Sequence, residues 1–177
     1  MPSPLAHLAA GYAVYRLAQH YEPKPGLWPD MPIPGLLVVV AGFSMLPDID
    51  TVLAVFTGDF GRFHNNATHS LFAGACFALV FAGLMWWWRR EFFYWFILAF
   101  SGYGLHLLMD MATISRGIML LWPLTSARYL SPVTLFYGLH WSQGWISIRH
   151  LWTLLTELLF VALILGVLHF PLKRAVK

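Results

Sequence analysis

Uncharged apolar runs alternate with short polar breaks along this chain, and the runs are longer than the core of a small soluble domain needs. Ile33 to Leu46 carries no charge, and its helical pattern extends past Pro47 to about Phe56. His69 to Trp88 is a second uncharged run, stopped by Arg89, Arg90 and Glu91. Phe92 to Met109 is a third, and Leu151 to Leu172 a fourth, with Glu157 inside it. As helices, runs of this length cross a hydrocarbon core of roughly 30 Å. Leu5 to Gln19 is a shorter helical run, rich in small residues that let neighbours approach closely. Only Met1-Pro2-Ser3-Pro4 precedes it, without the positive charge of a signal peptide, so it is read as a helix of the bundle. The prolines between His20 and Pro34 break any helix there. The pattern predicts an all-α, polytopic membrane bundle of about five helices, forming one unit over residues 1–177. An aromatic, Pro- and Gly-rich segment, Ala112 to His150, is expected to be interfacial or re-entrant before the last helix.

Composition sharpens that picture. The chain is 59% hydrophobic and 11% charged, where a soluble domain carries about a quarter charged residues. The basic residues punctuate apolar segments and form no patch with interleaved aromatics, so nucleic acid is not an expected partner and the bilayer is. The single cysteine, Cys76, can form no intrachain disulfide. Five alternating crossings put Lys24, Arg89, Arg90, Lys173, Arg174 and Lys177 on one side, and Arg62, Arg116, Arg128 and Arg149 on the other. The first side is then cytoplasmic, in an inner (plasma) membrane.

Projected onto that topology, the polar residues gather. His7 starts the first helix, Asp48 and Asp50 end the second, His64 lies in the following loop and His69 opens the third; His106 and Asp110 close the fourth. All seven fall at one level on the extracytoplasmic face, although none was used to assign the topology. His106 and Asp110, at i and i+4, share a helix face. Their other reading is a helix-end carboxylate beside a packed histidine. For Asp48 or Asp50 it is a helix cap, and for His64 and His69 it is a Thr68 cap on the third helix with surface histidines. Four histidines and three aspartates over-supply a single zinc, which usually takes three protein ligands in a catalytic site. Two divalent ions about 3.5–4 Å apart fit better, Zn first and Mn or Fe next. Asp48, His69, His106 and Asp110 are the expected core ligands, with His7 completing the shell. Asp50 or His64 is the expected proton-transfer group, and both also stand among the metal-competent residues. Arg116 and Arg128 flank the aromatic segment, either as interfacial anchors or as holders of an anionic head group.

The motifs LPDID, HNNATHS and HLLMD, preceded by an early His-x-x-x-Gly, resemble the YdjM-like family. These are small bacterial and archaeal inner-membrane proteins described as metal-dependent hydrolases, some under LexA control. The resemblance runs from His7 to about Arg128, including Leu120-Leu121-Trp122-Pro123. It implies that the family's first histidine is His7, its acidic pair Asp48 and Asp50, its central motif His64 and His69, and its His-x-x-x-Asp His106 and Asp110. The family often has a basic residue after the first central histidine, where this chain has Asn65; no contact to substrate charge carries over to that position. The resemblance implies a hydrolase without naming its substrate. Zinc-dependent phospholipase C and related nucleases share a similar ligand set, which is not evidence of a shared fold.

The expected function is therefore hydrolysis of a lipid or lipid-linked substrate, phosphoester first and acyl ester or amide second. The rivals are a metal transporter and a structural scaffold. A transporter places its ligands near the bilayer midplane, whereas these cluster at one end.

Overall fold

The computed structural model describes residues 1–20, 33–139 and 147–170. The prolines of the first loop up to Pro32, Lys24 and the basic C-terminal residues Lys173, Arg174 and Lys177 lie outside them. The described structure is all-helical apart from two isolated backbone bridges, Thr113 with Phe136 and Ile118 with Tyr129. Five long helices carry it: α1 (Pro4–His20), α2 (Ile33–Met45), α5 (Leu71–Arg89), α6 (Phe92–Met111) and α7 (His150–His169). Two short ones, α3 (Asp50–Thr57) and α4 (Phe60–Phe63), lie between α2 and α5.

Four segments are long and apolar enough to span a membrane: 35–57, 71–88, 92–111 and 150–169. The 17-residue α1 falls short of that length and packs against α2, α6 and α7. Large apolar side chains such as Val80, Leu84, Trp87, Phe93 and Leu163 face outward. That pattern would be an aggregation hazard in water but matches a hydrocarbon solvent.

α6 is the centre of the bundle, in contact with α1, α2 and α5. Its buried residues, Trp95, Ala99, Gly102, Tyr103, His106, Leu107 and Asp110 among them, recur at three- and four-residue spacing, the inner stripe of one helix. His106 and Asp110 thus continue an apolar stripe into its last turn. Beneath them the interior is filled: Phe43, Ala78, Ala99, Tyr103, Leu107 and Ile118 form one cluster. Val14, Tyr15, Leu36, Val40, Trp95 and Leu98 belong to the next.

The second span continues past Pro47 to Thr57, as its pattern predicts, but not as one regular helix. Proline has no N–H to return to the preceding turn. The chain tightens into a 3₁₀ turn over Leu46–Ile49 before α3 begins at Asp50. The third span starts at Leu71, with His69 in a preceding 3₁₀ turn, Ala67–His69. Its cap is Ser70, whose hydroxyl accepts from Ala73 N at 3.1 Å, and not Thr68.

α1 packs tightly on α2 at Gly11, where an added Cβ would stand 2.7 Å from Ser44 Oγ and 3.3 Å from Ala41 Cα. Gly11→Ala is expected to destabilise the fold by about 1–3 kcal/mol, the usual cost of overpacking. The readout is a lower thermal midpoint in detergent; an unchanged midpoint would show that Ser44 yields freely.

Candidate metal centre

Helices of alternating direction bring opposite ends to the same level. His7 comes from the start of α1, Asp48 from the turn after α2, His69 from the turn before α5, and His106 and Asp110 from the end of α6. All are buried except Asp48, which is nearly so.

Four ligand atoms face one another. His69 Nε2 lies 3.1 Å from Asp110 Oδ2, 3.3 Å from His106 Nε2 and 3.4 Å from Asp48 Oδ1. His106 Nε2 lies 3.4 Å from Asp110 Oδ2 and 3.6 Å from Asp48 Oδ1. A tetrahedral ion with bonds of about 2.0–2.1 Å has ligands about 3.3 Å apart, so these spacings match five of its six edges. A fifth side chain, His7, stacks on His106 with ring centroids 3.8 Å apart and brings Nε2 to 3.6 Å from Asp110 Oδ1.

The chemistry of the donor set supports an ion more directly. Both ring nitrogens of His7, both oxygens of Asp48 and both of Asp110 are buried without a hydrogen bond. Buried polar atoms are almost always satisfied, so this cluster of ligand-type atoms without aligned hydrogen bonds fits a cation, a metal ion or, in its absence, the charged His69 imidazole 3.1 Å from Asp110 Oδ2. The backbone prepares the ligands. The Ser44 carbonyl, in the turn that Pro47 disrupts, accepts from His106 Nδ1 at 2.8 Å. That fixes the proton on Nδ1 and leaves the Nε2 lone pair for a metal.

Asp50 sits one layer out. Its Oδ1 accepts from His64 Nδ1 at 2.8 Å, and its Oδ2 from Thr68 Oγ1 at 2.6 Å. His69 Nδ1 lies 3.1 Å from Thr68 Oγ1 and 3.2 Å from Asp50 Oδ2, so its N–H is held by this pair and its Nε2 is freed for the quartet. His64 Nε2 is buried and makes no hydrogen bond. Asp48, Asp50, His64 and His69 form a second group able to hold an ion, sharing two residues with the first. Neither aspartate is the N-cap of a helix: the residues at the N-cap positions, Met45 and Ile49, make no side-chain cap bond.

His69 lies outside the spans. Burial works against its charged form, but the Asp110, Asp48 and Asp50 carboxylates outweigh that and hold its pKa well above the ordinary value. Without an ion, the charged imidazole contributes stability that is complete below its unfolded-state pKa and is lost as pH rises through the raised folded value. Metal uptake must displace that proton. Apparent zinc affinity is therefore expected to rise with pH across neutrality, by up to about tenfold per unit for one proton released. Calorimetric titration in buffers of different ionisation enthalpy would detect the proton, and a pH-independent affinity would contradict it.

Arg116 and Arg128 are placed beside the site but are largely occupied. Arg116 Nη2 donates to the His64 carbonyl; Arg128 Nη1 donates to the Asn65 and Gly117 carbonyls at 3.1 and 2.9 Å, and its Nη2 to Asn66 Oδ1. They hold the turn that carries His64. Asn65 occupies left-handed backbone at φ 62°, which asparagine tolerates better than most residues. Burial and the neighbouring Arg116 lower the Arg128 pKa from its ordinary value. Among the described residues no carboxylate pairs with either guanidinium.

Several supporting residues were not singled out as parts of the site from the sequence: Ser44 through its carbonyl, Thr68 through Asp50, and Tyr103, whose hydroxyl donates to the Thr68 carbonyl. The only available signal was Thr68 standing beside His69.

No curated protein and no solved structure matches this chain. The model of the YdjM inner membrane protein family matches residues 1–175, almost the whole length. With membrane-length helices surrounding one buried histidine–aspartate cluster, the chain belongs to the YdjM inner membrane protein family and is a multi-pass protein of the inner membrane.

Proposed function

We propose that the protein is a membrane-embedded, metal-dependent hydrolase acting on a lipid or lipid-linked substrate at the extracytoplasmic face. The observation that carries the reading is the buried quartet Asp48, His69, His106 and Asp110, with tetrahedral spacing and orphaned ligand atoms. Zinc is the first candidate for it, with Mn or Fe next. His7 completes this shell; Asp48, Asp50, His64 and His69 would hold the second ion of a binuclear centre, and with one ion bound Asp50 and His64 would instead be the proton-transfer pair. The ions would supply Lewis acidity and make water a usable nucleophile near neutral pH.

The rest falls to the chain. With the second group unfilled, Asp50 fixes the His64 proton on Nδ1 and leaves Nε2 to take a proton from water. Arg116 and Arg128 bring uncompensated positive charge beside the site, which favours an anionic head group and places phosphoesters ahead of acyl esters and amides. The position of the site at one end of the bundle, in a membrane protein, favours an amphiphilic substrate. The side opposite Arg89 and Arg90 is read as extracytoplasmic by the positive-inside rule. A transporter fits less well, because packed apolar clusters fill the bundle beneath the site.

The test is elemental analysis of detergent-purified protein, followed by assay on phosphodiester lipids and phosphate-free acyl esters in mixed micelles. Metal-dependent cleavage of the phosphodiester is expected, with two equivalents of transition metal where both groups fill and one where Asp50 and His64 are the acid–base pair. One equivalent with cleavage would remove the second ion from the proposal. Protein that stays metal-free after reconstitution with Zn, Mn and Fe would sink the enzyme, and metal without cleavage would leave a metal-binding scaffold.

A further inference from the structure

Glu157 is the one ionisable residue of α7 that is buried among the described residues, at 1% exposure, and the metal centre makes no use of it. Carboxyl groups inside membrane spans are costly and tend to have a task. Both oxygens of Glu157 accept from Ser3, one from its backbone N–H and the other from its hydroxyl. Ser3 immediately precedes Pro4, the first residue of α1, and its Oγ also accepts from Leu5 N at 3.3 Å. It is therefore the cap of α1, with proline in the favoured next position. His7 follows one turn later, about 6 Å along the axis.

His7 has no hydrogen bond of its own on either ring nitrogen. Its ring is set by the stack on His106 and by where α1 places it. We propose that the Glu157–Ser3 clasp sets the position of α1 and so holds His7 at the metal centre, making Glu157 a positioning residue. The inference rests on the metal-centre reading above.

Neighbouring contacts join the same parts. Thr153, one turn before Glu157, donates to the Gly138 carbonyl at 2.7 Å, and Leu139 N donates to the Met1 carbonyl at 2.8 Å. Gly138 has φ +80°, and a Cβ there would stand 2.3 Å from Thr113 Cγ2 and 3.1 Å from Met1 O. α7, the beginning of α1 and the residues just after Asp110 are thus stitched together on the side of the site that carries His7.

The experiment is a Co(II) titration of the full chain in detergent, reading the visible absorption of the bound ion and its apparent Kd, with helix content followed by circular dichroism. Glu157→Ala is expected to weaken Co(II) binding by about 10- to 100-fold, the usual effect of losing an outer-shell partner, and to change the band while helix content is kept. Glu157→Gln keeps an acceptor for the Ser3 N–H and is expected to restore most of the affinity. In a His7→Ala background, Glu157→Ala is expected to add nothing, since its effect passes through His7. Unchanged affinity and band in Glu157→Ala, or losses that add in the double variant, would overturn the clasp. If Glu157→Ala does not fold, Ser3→Ala removes the hydroxyl arm and is read in the same way. A wild-type chain that binds no Co(II) would overturn the centre and the clasp with it, whereas a wild-type band indifferent to both variants overturns the clasp alone.

Discussion

His106→Ala is expected to lower zinc affinity by at least about 100-fold, more than the loss of a supporting residue usually costs. His106 Nε2 lies 3.3–3.6 Å from the three other atoms of the quartet, so its loss removes one corner of the site. Its removal also takes away the surface on which His7 stacks. Asp110→Asn keeps nearly the same volume but removes the charge, and is expected to lose metal as well. The comparison separates chemistry from packing. Alanine at 106 leaves a cavity and the Ser44 carbonyl without its donor, so some of its effect is structural. Asparagine at 110 leaves no cavity. Metal content by elemental analysis, set beside the thermal midpoint of each variant without metal, checks both. Wild-type metal content in the two variants would remove the quartet as the binding site.

The sequence already showed the main lines of this architecture, because spans and their polar interruptions are written in hydropathy. His69 to Trp88 and Phe92 to Met109 read as apolar over membrane length, so their ends, and the ligands at those ends, could be placed to within about two residues of the observed Leu71–Trp88 and Phe92–Met111. The gathering of His7, Asp48, His69, His106 and Asp110 at one level followed from alternating helix direction alone. Hydropathy carries no record of hydrogen bonds. Thr68 and Ser70 are equally good caps in the sequence; Ser70 takes the role because the Thr68 hydroxyl is committed to Asp50. The part played by Ser44 was hidden for a different reason, since a carbonyl is common to every residue and its availability depends on the turn at Pro47. The segment after α6 was the least legible. Its bridges join Thr113 to Phe136 and Ile118 to Tyr129, and such long-range pairing leaves no periodic trace. The hold of Arg128 on Asn65 and Asn66 likewise connects residues more than sixty positions apart.

Asp50→Asn is expected to separate binding from catalysis: the quartet ion stays, while hydrolysis falls by about 10²–10⁴-fold, the range of a general acid–base contribution. Asp50 accepts from His64 on one oxygen and from Thr68 on the other, with His69 Nδ1 close to the second. Asparagine can accept on only one side. If its oxygen stays toward Thr68 and His69, the amide N–H₂ meets His64 Nδ1 and favours the tautomer protonated on Nε2, which cannot take a proton from water. If it turns the other way, the amide faces Thr68, whose hydroxyl can rotate to accept it, and the His69 N–H keeps only the weaker partner. The first arrangement leaves His69 its usual support, and the second costs zinc affinity at most the 10- to 100-fold of an outer-shell change. His64→Ala should lose activity to a similar degree. The double variant should lose little more, because a base and the group that orients it act as one unit. Activity in Asp50→Asn within about tenfold of wild type, at equal metal content, would exclude this pair from proton transfer. Metal loss as complete as in His106→Ala would instead make Asp50 a ligand, and would shift the centre from one ion with an acid–base pair beside it toward two ions that share Asp48 and His69.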